Sequence, residues 1–199
     1  KCFVLTILTR RSGIVINNLM TIHSKGNALK LLKWTLGAVI ILLIVGLLIP
    51  EKLVIPVQGA TSKDWNHNTF WYEPWGRSGV HKGIDIFGAK NTPVVAATSG
   101  IVIFSGELNR GGKVVAVLGA KWRVHYFAHL NDYHVSAGDV VSINSQIGLL
   151  GDTGNAAGKQ PHVHYSILSL MPMPWLFTTQ SQGWKKMFFL NPHKKLTAN

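Results

Sequence analysis

TPVVAATSGIVIFSG, at residues 92–106, is the stretch that decides the expected fold. Short runs of β-branched residues alternate in it with glycine and small polar residues, which is the pattern of short strands joined by tight turns. The same pattern recurs in three further stretches: GKVVAVLG at 112–119, RVHYFAHL at 123–130 and VVSINSQIGLLG at 140–151. Together they predict an all-β domain, a compact antiparallel sheet or barrel, over residues 71–168.

A very apolar segment, WTLGAVIILLIVGLLIP, occupies residues 34–50. It carries no charge, and a helix of that length spans roughly 25 Å, which is just enough to cross a bilayer. We therefore predict one N-terminal transmembrane helix, and a cleaved signal peptide is the alternative. By the positive-inside rule, the basic residues before the segment keep the N-terminus in the cytoplasm and send the rest of the chain across the membrane: Arg10, Arg11, Lys25, Lys30 and Lys33.

The remaining segments are assigned by their composition. Residues 1–33 are expected to form a basic cytoplasmic segment, in which Met20 is an alternative start that would leave residues 1–19 as an untranslated extension. Residues 51–70 are mixed and polar, as in a short tether. Residues 169–199 are irregular and aromatic, and we expect this tail to pack on the domain.

The net charge of +12 narrows the classes of partner. Residues 1–50 carry six basic and no acidic residues, and the rest of the chain carries fourteen basic and eight acidic residues. Such an excess suits an anionic polymer, although a solvated basic surface has the same composition. The sequence contains no recognised nucleic-acid-binding motif, so we expect no nucleic-acid partner. The single cysteine, Cys2, excludes an intramolecular disulfide.

Three short segments contain polar residues that packing of a β domain does not require: HKGID at 81–85, FAHL at 127–130 and PHVHY at 161–165. Side chains two or four residues apart lie on one face of a strand, so His81 is paired with Asp85, and His162 with His164. Gly83 leaves space for a close backbone approach. Each pair can therefore converge on one point.

Convergent histidine and carboxylate side chains predict a zinc site. A hydrolytic zinc takes three such protein ligands and leaves a fourth position for water, whose pKa it lowers to roughly 7. Two histidines and one aspartate satisfy that requirement. The remaining histidines are then available for general acid–base or electrostatic catalysis.

The segments VHKGIDIFG, TPVVAATSGIV, FAHL and GDTGNAAGKQPHVHY occur in the order typical of lysostaphin-type (LytM-like) metallopeptidases, and residues 76–168 resemble that family. The resemblance implies one Zn²⁺ bound by His81, Asp85 and His164. It also implies that His129 and His162 are the catalytic histidines. The family often has Tyr-x-His where this chain has Phe127 before His129.

The resemblance further implies an endopeptidase that hydrolyses the peptide cross-links of bacterial peptidoglycan. Its partners would be the peptide stems and, through the helix, the cytoplasmic (inner) membrane, with the domain on the periplasmic or cell-wall side. The alternative is a non-catalytic envelope regulator that binds peptidoglycan or activates another wall hydrolase. His125 is expected on the strand face of His129, as a packed or surface residue or near the cleft. The aromatic stretch FWYEPW at 70–75 is a candidate groove wall, and core packing or contact with the membrane surface are the alternatives.

Overall fold

The structure is a computed structural model that describes Asn27 and residues 29–198. The predicted cytoplasmic segment and the alternative start at Met20 lie almost entirely outside the described residues. The described residues divide into two units at the boundary between Val45 and Gly46, and the units are described separately.

One long apolar helix, α1, runs from Leu29 to Leu48. It begins earlier than the predicted span at Trp34, because Lys30 and Lys33 are good helix formers and do not interrupt the helix. By length and composition it is able to cross a membrane, and a signal sequence near an N-terminus has the same properties.

The second unit is built from antiparallel strands, which confirms the prediction of an all-β domain. The strands are β1 (Ile84–Phe87), β2 (Pro93–Val95), β3 (Gly100–Leu108), β4 (Gly112–Gly119), β5 (Arg123–Leu130), β6 (Asp132–Tyr133), β7 (Val140–Val141), β8 (Gln146–Leu149), β9 (His162–Ser169) and β10 (Phe189–Leu190). The larger sheet has the order β1-β9-β5-β4-β3-β7, with β10 also paired to β9. The smaller sheet has the order β2-β8-β6.

Short helical turns connect the strands. A five-residue helix, α2 (Pro192–Leu196), follows β10 and is capped by the Asn191 side chain. The described 3₁₀ turns are Ser62–Asp64, Gly76–Ser78, Ala120–Trp122, Gly154–Ala156, Pro174–Leu176 and Lys185–Phe188.

Strand β9 separates the hydrophobic core from the functional face. Val163, Tyr165 and Ile167 are fully buried in the core, while His162 and His164, at the alternate positions, line a groove on the opposite face of the sheet. This is the two-residue alternation of a strand with one face packed and one face open.

Residues 51–70 differ from the predicted tether, because they pack against the domain. Leu53, Val57 and Trp65 are buried in the core. Val57 forms a β-bridge with Val94, and further main-chain hydrogen bonds join this segment to β2. Three widely spaced apolar side chains hold the segment on the sheet, and its mainly polar composition did not indicate this packing.

The C-terminal tail also packs on the domain. Strand β10 pairs with β9, so that Leu190 lies opposite Ile167. Leu190 and Met173 are both buried in the common core. The folded unit therefore extends beyond the predicted range of 71–168 at both ends.

Candidate metal site and groove

Three side chains converge at the start of β1 and on the open face of β9. Nε2 of His81 lies 3.0 Å from Oδ1 of Asp85 and 3.0 Å from Nδ1 of His164. Nδ1 of His164 lies 2.9 Å from the same Oδ1 of Asp85. Among the described residues, this is the group of His, Cys, Asp and Glu side chains that could hold a metal ion.

The hydrogen bonds on the far side of each imidazole decide which atoms face the centre. Nδ1 of His81 lies 3.2 Å from the carbonyl oxygen of Thr69, which can only accept, so Nδ1 carries a proton and Nε2 faces the centre. Nε2 of His164 lies 2.9 Å from the Ser166 hydroxyl, so Nδ1 is the nitrogen of this ring that faces the centre. Two imidazole nitrogens and a carboxylate oxygen thus converge on one point, and this set fits the N/O ligands of zinc.

The electrostatics of the three groups agree with that arrangement. Burial raises the pKa of Asp85, but the neighbouring His164 and His81 outweigh burial and hold this pKa well below its usual value. Burial lowers the pKa of His164, against the opposing effect of Asp85. At neutral pH Asp85 is therefore a carboxylate, and burial favours the neutral form of His164.

His81 reaches the centre from a loop and not from a strand. Strand β1 begins only at Ile84, and His81 is held by main-chain hydrogen bonds with Trp71 at 2.7 Å and Tyr72 at 3.0 Å. His81 was grouped with Asp85 because both were expected on one face of a strand. The grouping is correct, but only Asp85 lies in a strand. In the sheet, Asp85 lies directly opposite His164.

Gly83 permits the close contact between the loop and β9. A Cβ atom at this position would lie 2.6 Å from Oγ of Ser166 and 2.9 Å from Cε1 of His164. Both distances are shorter than side-chain contacts allow, so a glycine is needed here for space, as the sequence indicated.

His129, at the end of β5, turns into the groove through an unusual backbone conformation. Its φ is 65°, in the left-handed region. Nδ1–H donates to the carbonyl of Thr153 at 2.9 Å, so Nε2 is unprotonated. Burial lowers the pKa of His129 to about 4, with smaller contributions from His164 and His162. The ring is therefore neutral at neutral pH.

His162 is held in the same way as His129. Its Nδ1–H donates to the carbonyl of Gln160 at 2.8 Å, so Nε2 is the nitrogen that this bond does not occupy. The ring centroids of His129 and His162 are 5.1 Å apart, and that of His129 is 6.1 Å from that of His164. The structure thus brings all five predicted site residues into one groove.

His125 and Phe127 face the core, on the opposite side of β5 from the groove. Both are fully buried, whereas Tyr126, Ala128 and His129 line the groove. The expectation that His125 shares a strand face with His129 is therefore wrong, because the left-handed residue His129 and a register shift between β4 and β5 break the two-residue alternation. The missing hydroxyl at Phe127 leaves the groove unchanged, since that side chain points away from it.

The groove is a cavity of about 1200 Å³ above the three-residue centre. Trp75 stacks on His81 with ring centroids 4.1 Å apart and planes 18° apart, so the aromatic stretch at 70–75 contributes to the groove wall. Sequence reasoning missed Ser166, Tyr126 and the orienting carbonyls of Thr69, Thr153 and Gln160. Ser166 could have been found, because it is two residues after His164 and on the same strand face.

Comparison with known proteins places this site in a family. Residues 79–172 match peptidase family M23. The L-Ala–D-Glu endopeptidase of Bacillus subtilis (strain 168) is 32% identical over 113 residues, which cover 52% of this chain and 35% of that protein. The peptidoglycan DD-endopeptidase ShyA of Vibrio cholerae is 30% identical over 92 residues, which cover 46% of this chain and 21% of that protein. The chain thus spans about a third or less of the length of these relatives.

A solved structure agrees with the sequence match. The catalytic domain of the antimicrobial peptidase lysostaphin from Staphylococcus simulans superposes with a TM-score of 0.51 and 28% identity, covering 62% of this chain and 84% of that domain. The predicted resemblance to lysostaphin-type peptidases is confirmed. Residues 79–172 of this chain are thus similar in sequence to peptidase family M23 and similar in fold to the lysostaphin catalytic domain.

Proposed function

We propose that this domain is a zinc-dependent endopeptidase that hydrolyses the peptide cross-links of bacterial peptidoglycan. The observation that carries the proposal is the convergence of two imidazole nitrogens and the Asp85 carboxylate, beside two further histidines, in an open groove. Relatives named as an L-Ala–D-Glu endopeptidase and a peptidoglycan DD-endopeptidase support the substrate class.

His81, Asp85 and His164 would hold one Zn²⁺. When bound, zinc polarises a carbonyl oxygen as a Lewis acid and lowers the pKa of water to about 7. The protein supplies the orientation of the ligands, because Thr69 and Ser166 hold the two imidazoles by their outer nitrogens.

His129 and His162 would move the protons of the reaction. Each ring is held by an Nδ1–H donor to a main-chain carbonyl, so each presents the lone pair of Nε2. We assign to these nitrogens the acceptance of a proton from the attacking water and its return to the amine nitrogen that leaves. The low pKa of His129 favours the neutral, proton-accepting form at neutral pH.

The apolar helix α1 supports a location at the bacterial cytoplasmic membrane, with the domain on the periplasmic or cell-wall side. The substrate lies on that side, and basic residues before the helix favour this orientation. Protease added outside intact spheroplasts should digest the domain, whereas a domain that resists until the membrane is opened would contradict this topology. Release of the domain from the membrane would indicate that the helix is a cleaved signal.

Zinc content and digestion of purified peptidoglycan test the function directly. The full chain in detergent is expected to hold one zinc and to release new peptide ends. His164→Ala is expected to lose the metal. His129→Ala is expected to keep the metal and to lose roughly 100- to 10,000-fold in rate, the range for a general acid–base group. A native chain that binds zinc and cuts no peptidoglycan preparation would instead support the envelope-regulator function.

A further inference from the structure

The groove has an excess of positive charge. Four basic side chains line it, namely Arg77, Lys82, Arg110 and Lys159. Asp85 is the carboxylate among the described lining residues, and it belongs to the metal centre. The remaining lining residues add no negative charge, so a ligand in the groove meets a positive potential.

Protein carboxylates do not neutralise these cations. Among the described residues, none of the four basic side chains of the groove lies within ion-pair distance of an acidic side chain. Elsewhere on the domain, Lys90 pairs with Asp152 at 2.7 Å, and Arg123 pairs with Glu51. The groove cations are therefore available to a ligand.

Three of these cations are gathered on one side of the groove. Nη1 of Arg110 donates to the main-chain carbonyl of Arg77 at 3.4 Å, and Nζ of Lys82 donates to the carbonyl of Ser78 at 3.2 Å. We call Arg77, Lys82 and Arg110 the basic rim. Main-chain carbonyls hold the rim together, and they leave the remaining donors of each cation free.

The basic rim borders the metal centre. Lys82 follows His81 directly in the chain, and Arg77 belongs to the turn that follows Trp75, whose ring stacks on His81. A peptide whose scissile bond lies at the centre would therefore place its neighbouring residues against the rim. Guanidinium groups bind carboxylates through two parallel, charge-assisted hydrogen bonds, whereas a neutral peptide offers only uncharged carbonyl acceptors.

We propose that the basic rim binds a free carboxylate of the substrate next to the scissile bond. The preferred substrate is then a direct cross-link between peptide stems that carry free carboxylates, in preference to a neutral glycine bridge. This inference rests on the proposed peptidase function and specifies its substrate class.

The test uses three soluble cross-linked peptides and the zinc-loaded full chain in detergent. The first peptide has a free carboxylate next to the scissile bond, the second has that carboxylate amidated, and the third is joined by an oligoglycine bridge. We expect kcat/KM for the free carboxylate to exceed the other two values by about tenfold or more, because a charge-assisted hydrogen bond is lost in each of them. We also expect the preference to shrink as salt is added.

Variants test whether the basic rim causes the preference for the free carboxylate. Arg77→Gln and Arg110→Gln are expected to lower kcat/KM for the free carboxylate about tenfold more than they lower kcat/KM for the amidated peptide. Both side chains are exposed, so these changes should not impair folding. Lys63→Gln is the matched control, because Lys63 is an exposed cation outside the groove, and it should not alter the preference.

Measurements of peptide binding distinguish a failure of this inference from a failure of the proposed function. The dissociation constants of the three peptides are measured on His129→Ala, where turnover is not required. A preference for the free carboxylate that Arg110→Gln abolishes supports the rim, even if no peptide is ever cut. Equal binding and equal cleavage of the free and amidated peptides would overturn it while leaving the peptidase intact. Faster cleavage of the oligoglycine bridge would overturn it as well.

Discussion

The Tyr165 hydroxyl and Nδ1 of His125 share a 2.7 Å hydrogen bond inside the core, on the opposite face of the sheet from the groove. Both residues are fully buried. On the other side of the imidazole, Nε2 lies 3.7 Å from Oε1 of Glu51, whose other oxygen pairs with Arg123. A buried polar chain thus joins residue 51 to the adjacent strands β5 and β9.

Glu51→Ala should strongly destabilise the domain. The exposed fraction of the side chain is 5% for Glu51 and 12% for Arg123, so the substitution leaves a buried guanidinium without its carboxylate. Removing one partner of a buried pair costs about 3–5 kcal/mol of unfolding free energy. Denaturant unfolding of the full chain in detergent measures the loss. Asp152→Ala, which removes an exposed ion pair with Lys90, is the control and should change little; an equal effect of both variants would contradict the role of burial.

The same glutamate makes stability depend on pH. Burial raises the pKa of Glu51, but His125 and Arg123 outweigh burial and hold this pKa below the usual value of 4.5. A lowered folded-state pKa stabilises the fold above the unfolded-state pKa, and that contribution is lost as the pH falls through the folded-state pKa. The stability difference between the native chain and Glu51→Gln should therefore be largest near neutral pH and shrink below about pH 4.5. If the difference in unfolding free energy between the two chains stays constant from pH 7 to pH 3, the charge of Glu51 does not contribute to stability.

Strand alternation predicted the fold and brought the site residues together, because most of the site lies in two paired strands. Asp85 and His164 are directly opposite in the register of β1 and β9, and the alternation from His162 to His164 is regular. The pattern failed at His125, where the positive φ of His129 reverses the faces. Strand alternation also could not identify Thr69, Thr153 or Gln160. These residues act through main-chain carbonyls, which are present whatever the side chain is.

Ser166→Ala should weaken zinc binding without removing a ligand. The hydroxyl lies 2.9 Å from Nε2 of His164 and so holds the ring with Nδ1 towards the centre. Loss of such an outer partner typically costs about 10- to 100-fold in metal affinity or activity. Competition with a zinc chelator measures the affinity. Ser169→Ala is a matched control on the same strand, because that hydroxyl bonds to the carbonyl of Met171 and faces no ligand.

An unchanged zinc affinity in Ser166→Ala would mean that the tautomer of His164 is set without the hydroxyl. A comparable loss in Ser169→Ala would instead indicate a general disturbance of β9. The two variants together therefore separate orientation of the ligand from stability of the strand.

Gly83→Ala should disrupt the centre by steric conflict alone. Its Cβ would lie 2.9 Å from Cε1 of His164 and 2.6 Å from Oγ of Ser166, and the added methyl group cannot bend aside as a longer side chain could. The Cβ would lie closer still to the main-chain oxygen of Tyr165, so the loop that carries His81 must move away from β9, and the three ligand atoms separate. We expect zinc affinity to fall by at least about tenfold, since ligand orientation controls affinity in that range. Gly37→Ala, where a Cβ meets nothing within 4 Å, is the control and should bind zinc as the native chain does. A native zinc affinity in Gly83→Ala would show that the loop can move away from β9 and still place His81 at the centre. The glycine would then be needed for folding and not for metal binding.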